Sequence, residues 1–114
     1  MGKREKGKRQ IASKRQSIYS LWEVKELVDQ GKVLLKPNAL QCAQRDFGWE
    51  TRDILDALRK LKPGHFYKSE PSDKRHGALL DFYKAYGLKG EDVYTPFYID
   101  DENGFLVVNS FKRL

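Results

Sequence analysis

The segment PGHFYKSE (residues 63–70) marks the point where the sequence changes from a helical pattern to a strand pattern. Pro63 and Gly64 disfavour the continuation of a helix, and the preceding segment carries leucines at helical spacing. Phe66 and Tyr67 are typical strand residues, but the charged Lys68 follows them at once. The sequence therefore predicts an α+β fold, in which N-terminal helices pack on a C-terminal antiparallel sheet that carries most of the aromatic residues.

Three helices are predicted before this change. Ser20 has the position of an N-cap for the first helix, and Gly31 has the position of its stop. The second helix follows Pro37 and ends at Gly48, and the third is predicted to begin with Thr51 as its cap. Apolar residues recur at helical spacing in all three segments, so the first sixty residues are predicted to be mostly helical.

Three further segments are predicted to be strands, and a fourth fits either a strand or a helix. Residues 32–36 (KVLLK) form a short apolar run that indicates an edge strand between two of the helices. Residues 92–99 (DVYTPFYI) and 105–111 (FLVVNSF) are β-prone and are joined by the turn DDENG, which predicts a hairpin. Residues 76–90 (HGALLDFYKAYGLKG) fit a strand as well as a helix, and the pattern by itself slightly favours a helix.

The net charge of +6 is confined to one end of the chain. Residues 1–15 hold seven cations and one acid, whereas the remainder holds fifteen of each. Such a tail is typical of a phosphate-tracking arm, and equally of a solubilising, disordered end. We expect residues 1–17 to form a basic, flexible tail and residues 18–114 to form a single domain.

The composition also indicates the cellular compartment and which cofactors the protein can bind. Cys42 is the lone cysteine, which predicts neither a disulfide nor a cysteine metal cluster and fits the reducing cytoplasm. No apolar run approaches the roughly 18 residues that span a bilayer, so no membrane association is expected. The two histidines, His65 and His76, lack a third ligand at a suitable spacing, and no phosphate-binding glycine loop is present. We therefore expect no metal and no small-molecule cofactor.

Lysine, histidine and tyrosine near aromatic residues are the remaining candidates for chemistry. A metal-free ribonuclease needs a base for the ribose 2′-hydroxyl, an acid for the leaving 5′-oxygen and cations for the phosphate. Lys68, His76, Tyr94 and Lys112 could supply these groups. The alternatives are a solvated lysine at a strand end and a half-buried packing tyrosine, and the pattern leaves them open.

From Ile18 to the C-terminus, the chain resembles the MqsR family of bacterial toxins, the ribonuclease members of toxin–antitoxin pairs. The resemblance is carried by VKELVDQGKV (24–33), HFYKS (65–69), DFY (81–83), DVY (92–94) and VVNSFKRL (107–114), and more loosely by the helical segment 38–61. It implies a RelE-like fold, in which residues 76–88 are strand rather than helix. It also implies sequence-selective, metal-independent mRNA cleavage that leaves 2′,3′-cyclic phosphate and 5′-hydroxyl ends, and a cognate antitoxin as partner.

The resemblance also assigns residues. Lys68, Tyr94 and Lys112 match positions that the family uses for activity, and His76 matches a histidine in its loop. The active-site glutamine of the family falls on Leu80, whose side chain cannot form hydrogen bonds, so an altered rate or sequence preference is expected. RNA contacts are expected from five further residues: Tyr67, Lys74, Arg75, Tyr83 and Arg113.

Two other classes of function remain open on the sequence. The first is a non-enzymatic nucleic-acid-binding module that uses the basic tail together with the cation-rich run 59–75. The second is a small interaction protein whose sheet edge accepts a strand from a partner.

Overall fold

The computed structural model describes residues 16–71 and 79–114. Three helices come first, followed by most of a six-stranded sheet, so the α+β prediction is confirmed. The helices are α1 (Leu21–Asp29), α2 (Pro37–Phe47) and α3 (Thr51–Arg59), and a short 3₁₀ turn follows at Pro63–His65. The strands are β1 (Val33–Leu35), β2 (Phe66–Pro71), β3 (Leu79–Leu88), β4 (Glu91–Ile99), β5 (Leu106–Val108) and β6 (Lys112–Arg113).

Local hydrogen bonds explain where the helices begin. Ser20 Oγ accepts a hydrogen bond from Glu23 N at 3.4 Å, which confirms Ser20 as the N-cap of α1. The prediction of Thr51 as a cap was wrong by one position, because Glu50 is the N-cap of α3 and Thr51 is its first residue. Glu50 holds this position because its backbone N–H donates to Asp53 Oδ2 at 3.0 Å.

The sheet has the order β1–β5–β4–β3–β2, and β6 pairs with β4. The prediction of a wholly antiparallel sheet needs correction, because β1 pairs with β5 in parallel while the remaining pairs are antiparallel. Leu106 N donates to the Lys32 carbonyl at 3.0 Å, and Lys36 N donates to the Val108 carbonyl at 3.1 Å. The edge strand predicted in residues 32–36 is thus confirmed. It lies between α1 and α2 in the sequence but forms one edge of the sheet.

Residues 79–88 form a strand in the middle of the sheet, as the family resemblance implied. The helix favoured by the pattern alone was wrong, because β3 pairs along much of its length with β2 on one side and β4 on the other. These long-range hydrogen bonds outweigh a local preference that was nearly balanced.

The helices cover one face of the sheet, here called the inner face. The core lies between this face and the helices, and its strand residues alternate with those of the opposite, outer face. None of the helices in the described parts of the chain is long and apolar enough to cross a membrane. The inner-face core residues are Tyr83, Ala85, Val93, Phe97, Leu106 and Val108, packed against Val24, Val28, Ala39, Ala43, Ile54, Ala57 and Leu58 of the helices.

Candidate functional site

A β-bulge at Tyr67 explains how a lysine can follow two aromatic residues in a strand. Phe66 lies opposite Tyr83 and Lys68 lies opposite Phe82, so Tyr67 is an extra residue on β2. Phe66 packs inward, with its ring 5.7 Å from the ring of Tyr83 in an edge-on arrangement. A bulge redirects side chains, and here Tyr67 and Lys68 both contact residues of the outer face.

Charged and aromatic residues form a continuous row across the outer face. Backbone pairing places Lys68 beside Phe82, Lys84 beside Tyr94, and Tyr94 beside Lys112. The row therefore crosses β2, β3, β4 and β6. We call it the outer-face cluster, and its members are Tyr67, Lys68, Phe82, Lys84, Tyr94 and Lys112.

Cation–π contacts hold the members of the cluster together. Lys84 Nζ lies 3.8 Å from the centre of the Tyr67 ring, and Lys68 Nζ lies 5.1 Å from the centre of the Phe82 ring. Lys112 Nζ lies 5.6 Å from the centre of the Tyr94 ring. The three ammonium groups therefore lie over aromatic rings, on a face that no helix of the described residues covers.

The electrostatics of the cluster keep its key groups protonated. Glu70 accepts a hydrogen bond from Lys68 Nζ at 2.8 Å, and this bond raises the pKa of Lys68, which therefore stays cationic. Burial raises the pKa of Tyr94, so its phenol remains a hydrogen-bond donor at neutral pH. Among the described residues of this cluster, three lysines accompany the one carboxylate of Glu70, so the cluster can bind an anion while a neutral phenol donates a proton.

Asp81 anchors the start of the domain beneath the cluster. Its carboxylate is fully buried and accepts hydrogen bonds from Ile18 N at 3.0 Å, Tyr19 N at 2.8 Å and Ser69 Oγ at 2.5 Å. Ser69 follows Lys68 on β2, and Asp81 precedes Phe82 on β3. The hydrogen bonds of Asp81 therefore hold β2 and β3 together on the inner face, directly behind Lys68 and Phe82 of the outer-face cluster.

The structure brings together four of the residues predicted from the sequence. Lys68, Tyr94 and Lys112, predicted as catalytic, lie in the outer-face cluster with Tyr67, predicted as an RNA contact. His76, Lys74 and Arg75, also predicted as site residues, lie outside the described residues.

Two predicted RNA contacts lie elsewhere. Tyr83 is only 1% exposed and stacks on Phe97 at 5.1 Å, and burial raises the pKa of Tyr83 to about 12. Its ring faces the helices and cannot reach an RNA, so the RNA-binding prediction for Tyr83 needs correction. Arg113 turns toward α2, where Nη2 donates to the Asp46 carbonyl, and Nη1 donates to Glu91 Oε1 at 3.0 Å. This side chain fastens the C-terminus to α2.

The sequence reasoning missed Lys84 and Glu70 as members of the site. Lys84 could have been found from the alternation of a strand, because it shares a face with Phe82 once residues 79–88 are known to be strand. The same alternation would have placed Tyr83 on the opposite face. Glu70 could have been found in the same way, because it follows Lys68 by two residues in the regular part of β2 and therefore shares its face. Leu80, at the position of the family's glutamine, pairs with Glu70 and is 4% exposed.

Comparison with known proteins places the chain in a family. A family model described as "Motility quorum-sensing regulator, toxin of MqsA" matches residues 16–113. No curated protein matches the chain. The matched range begins where the described structure begins, and it includes every member of the outer-face cluster.

Proposed function

Because this chain belongs to the MqsR family of toxins, which pair with an antitoxin, we propose that it is an mRNA endoribonuclease and that the outer-face cluster is its active site. The observation that supports this most is the row that joins Lys68, Tyr94 and Lys112 across β2, β3, β4 and β6, on a face that no helix of the described residues covers. Cleavage of mRNA in the cytoplasm would inhibit translation. The order of helices and strands agrees with a RelE-like fold, which we propose as the classification.

The proposed reaction cleaves the RNA backbone by an intramolecular transesterification at phosphorus. The ribose 2′-oxygen attacks the adjacent phosphorus, the bond from phosphorus to the 5′-oxygen breaks, and the products are a 2′,3′-cyclic phosphate and a 5′-hydroxyl. Lys68 and Lys112 bind the scissile phosphate and stabilise the charge that builds up on its oxygens in the transition state. Because these steps use only side chains, no metal or cofactor is needed.

Proton transfer requires one donor and one acceptor. The raised pKa of Tyr94 keeps its phenol protonated and suits it to give a proton to the leaving 5′-oxygen. Glu70, held 2.8 Å from Lys68 Nζ, is a carboxylate that can take the proton of the 2′-hydroxyl. Tyr67, whose side chain is 48% exposed, offers a ring on which a base beside the scissile bond can stack.

The test is cleavage of a defined RNA in the presence of EDTA. We expect wild-type protein to cut and to leave 5′-hydroxyl ends that polynucleotide kinase labels without prior phosphatase treatment. Lys68→Ala removes one phosphate contact and should lower kcat about 10²–10³-fold. Lys32→Ala, at the opposite edge of the sheet, is the matched control and should retain wild-type cleavage.

A non-enzymatic binder is the second candidate, since the same cations could hold intact RNA. Full-length RNA recovered from a gel shift with wild-type protein would support this binder. Equal cleavage by wild type and Lys68→Ala would show that the active site has been misplaced.

A further inference from the structure

A second basic region lies away from the outer-face cluster, between the helices and the hairpin that joins β3 to β4. It is a cavity of about 420 Å³ between α1, the end of α3 and residues 86–89. Of its ten lining residues five are lysine or arginine, and none of these ten is acidic. The proposed reaction leaves this cavity without a role.

Three of the five cations are available for a ligand. Arg59 is paired with Asp29 at 2.8 Å, and Lys89 is paired with Asp56 at 3.2 Å. The other three cations are in no ion pair among residues 16–71 and 79–114, and they come from α1, from the end of α3 and from the linker after it. They are Lys25, Lys60 and Lys62.

The pKa of His65 is lowered by burial and in part by the positive charges that line the cavity. Lys62 N donates to His65 Nδ1 at 3.0 Å, which leaves the proton of the neutral ring on Nε2. Burial lowers the pKa of His65, and the charges of Lys62 and Lys25 lower it further. A group of cations that repels a proton from a neighbouring imidazole is a group that an anion would stabilise.

The cavity connects to the outer-face cluster through β3. Tyr86 lines the cavity and is 66% exposed, which makes it one of the most exposed aromatic side chains of the described chain. It lies two residues beyond Lys84 on the same strand, which is about 7 Å along the chain. An exposed ring between two groups of cations is the arrangement that binds a single nucleic-acid strand, with bases stacked on rings and phosphates on lysines.

We propose that this cavity binds the sugar–phosphate backbone of the RNA strand beyond the scissile bond, with Lys25, Lys60 and Lys62 contacting phosphates and Tyr86 stacking on a base. The inference rests on the proposed function, since it extends the same RNA from the outer-face cluster. It assigns the cavity to binding and not to the chemical step.

The first experiment measures the salt dependence of RNA affinity. The probe is a mixed-sequence 2′-O-methyl RNA, which cannot be cleaved through its 2′-oxygen, and binding is followed by fluorescence anisotropy. Each phosphate contact on a single strand contributes roughly 0.7 to the slope of log K against log salt, so the double variant K60Q/K62Q should lose about 1.4. The matched control K32Q/K36Q removes the same charge beside β1 and should keep the wild-type slope.

Two further readouts separate binding from chemistry. With cleavable RNA, K60Q/K62Q should raise KM and leave kcat within about twofold of wild type, because the lost contacts are the same in the ground and transition states. In NMR titrations, with the two histidines distinguished by His76→Gln, RNA should raise the pKa of His65, because phosphates in the cavity favour the charged imidazole.

The outcomes are distinguishable. If K60Q/K62Q and K32Q/K36Q have the same slope, the cavity does not bind RNA and the inference is overturned while the proposed function stands. If K60Q/K62Q retains RNA affinity but loses the antitoxin, the cavity is a protein-binding surface, which also overturns the inference. If wild-type protein neither binds nor cuts RNA, the proposed function fails, and this inference fails with it.

Discussion

Replacement of the buried Asp81 should destabilise the whole domain and release its first residues. Asp81→Asn keeps the shape of the side chain but replaces one carboxylate oxygen by an NH₂ group. Because Oδ1 accepts from both Ile18 N and Ser69 Oγ, the amide oxygen can best retain those two bonds. The NH₂ group then faces the backbone N–H of Tyr19, and two donors meet without an acceptor.

The expected loss follows from these three bonds. A hydrogen bond to a charged group contributes about 1.5–3 kcal/mol, against about 1 kcal/mol for a neutral one. Losing the bond to Tyr19 and weakening the other two therefore costs about 3–5 kcal/mol. The backbone donors are only partly buried, and water can compensate some of the loss, so we expect about 3 kcal/mol. That is a large fraction of the roughly 5–15 kcal/mol that stabilises a domain.

Urea denaturation followed by tryptophan fluorescence measures this loss. We expect a lower midpoint for Asp81→Asn and, in thermal scans, a melting temperature lower by about 12 °C or more. Asp101→Asn makes the same chemical change at an exposed position and should stay within about 0.5 kcal/mol of wild type. Hydrogen exchange should accelerate at the amides of Ile18 and Tyr19 before it does so in the core strands.

A double-mutant cycle with Ser69→Ala separates the bond from general packing. The cycle uses Asp81→Ala, which removes the acceptor of Ser69 Oγ. If the two side chains interact as their 2.5 Å contact indicates, Asp81→Ala and Ser69→Ala together should cost less than the sum of the single changes, by about 0.5–3 kcal/mol. Strict additivity, or a loss below about 1 kcal/mol for Asp81→Asn, would refute the view that this carboxylate anchors the N-terminal segment.

Two further predictions concern the contact between α2 and the C-terminal segment. The side chain of Arg45 and the backbone N–H of Arg113 lower the pKa of Asp46 to about 2, so its charge should stabilise the fold above about pH 4 and lose this effect as the pH falls toward 2. The difference in urea midpoint between wild type and Asp46→Asn should therefore be largest at pH 7 and much smaller near pH 2, and a constant difference would argue against it. Phe111 is fully buried with its ring 6.0 Å from that of Trp49, so Phe111→Ala should cost about 3–5 kcal/mol in the same assay, whereas Phe111→Leu should cost much less. Similar costs for both variants would contradict a packing role.

Much of the helical half of the chain was predictable because its signals are local. Ser20, Gly31 and Pro37 act through the backbone within a few residues, and each marks a helix boundary in the structure. The helix N-cap at Glu50 was missed because Thr51, the next residue, is of a type that commonly caps helices, whereas glutamate is not. The family resemblance added the strand at 79–88, where the periodicity of the sequence slightly favoured a helix.

The sequence by itself determined the residue types of the site, whereas only the tertiary structure decided which of them meet. Lys68, Tyr94 and Lys112 are far apart in the chain, and strand pairing brings them into one row. The sheet alternates its side chains between two faces, so Tyr83 is buried while its neighbour Lys84 joins the outer-face cluster. The bulge at Tyr67 and the parallel partner of β1 depend on hydrogen bonds between distant segments, and no local pattern encodes such bonds.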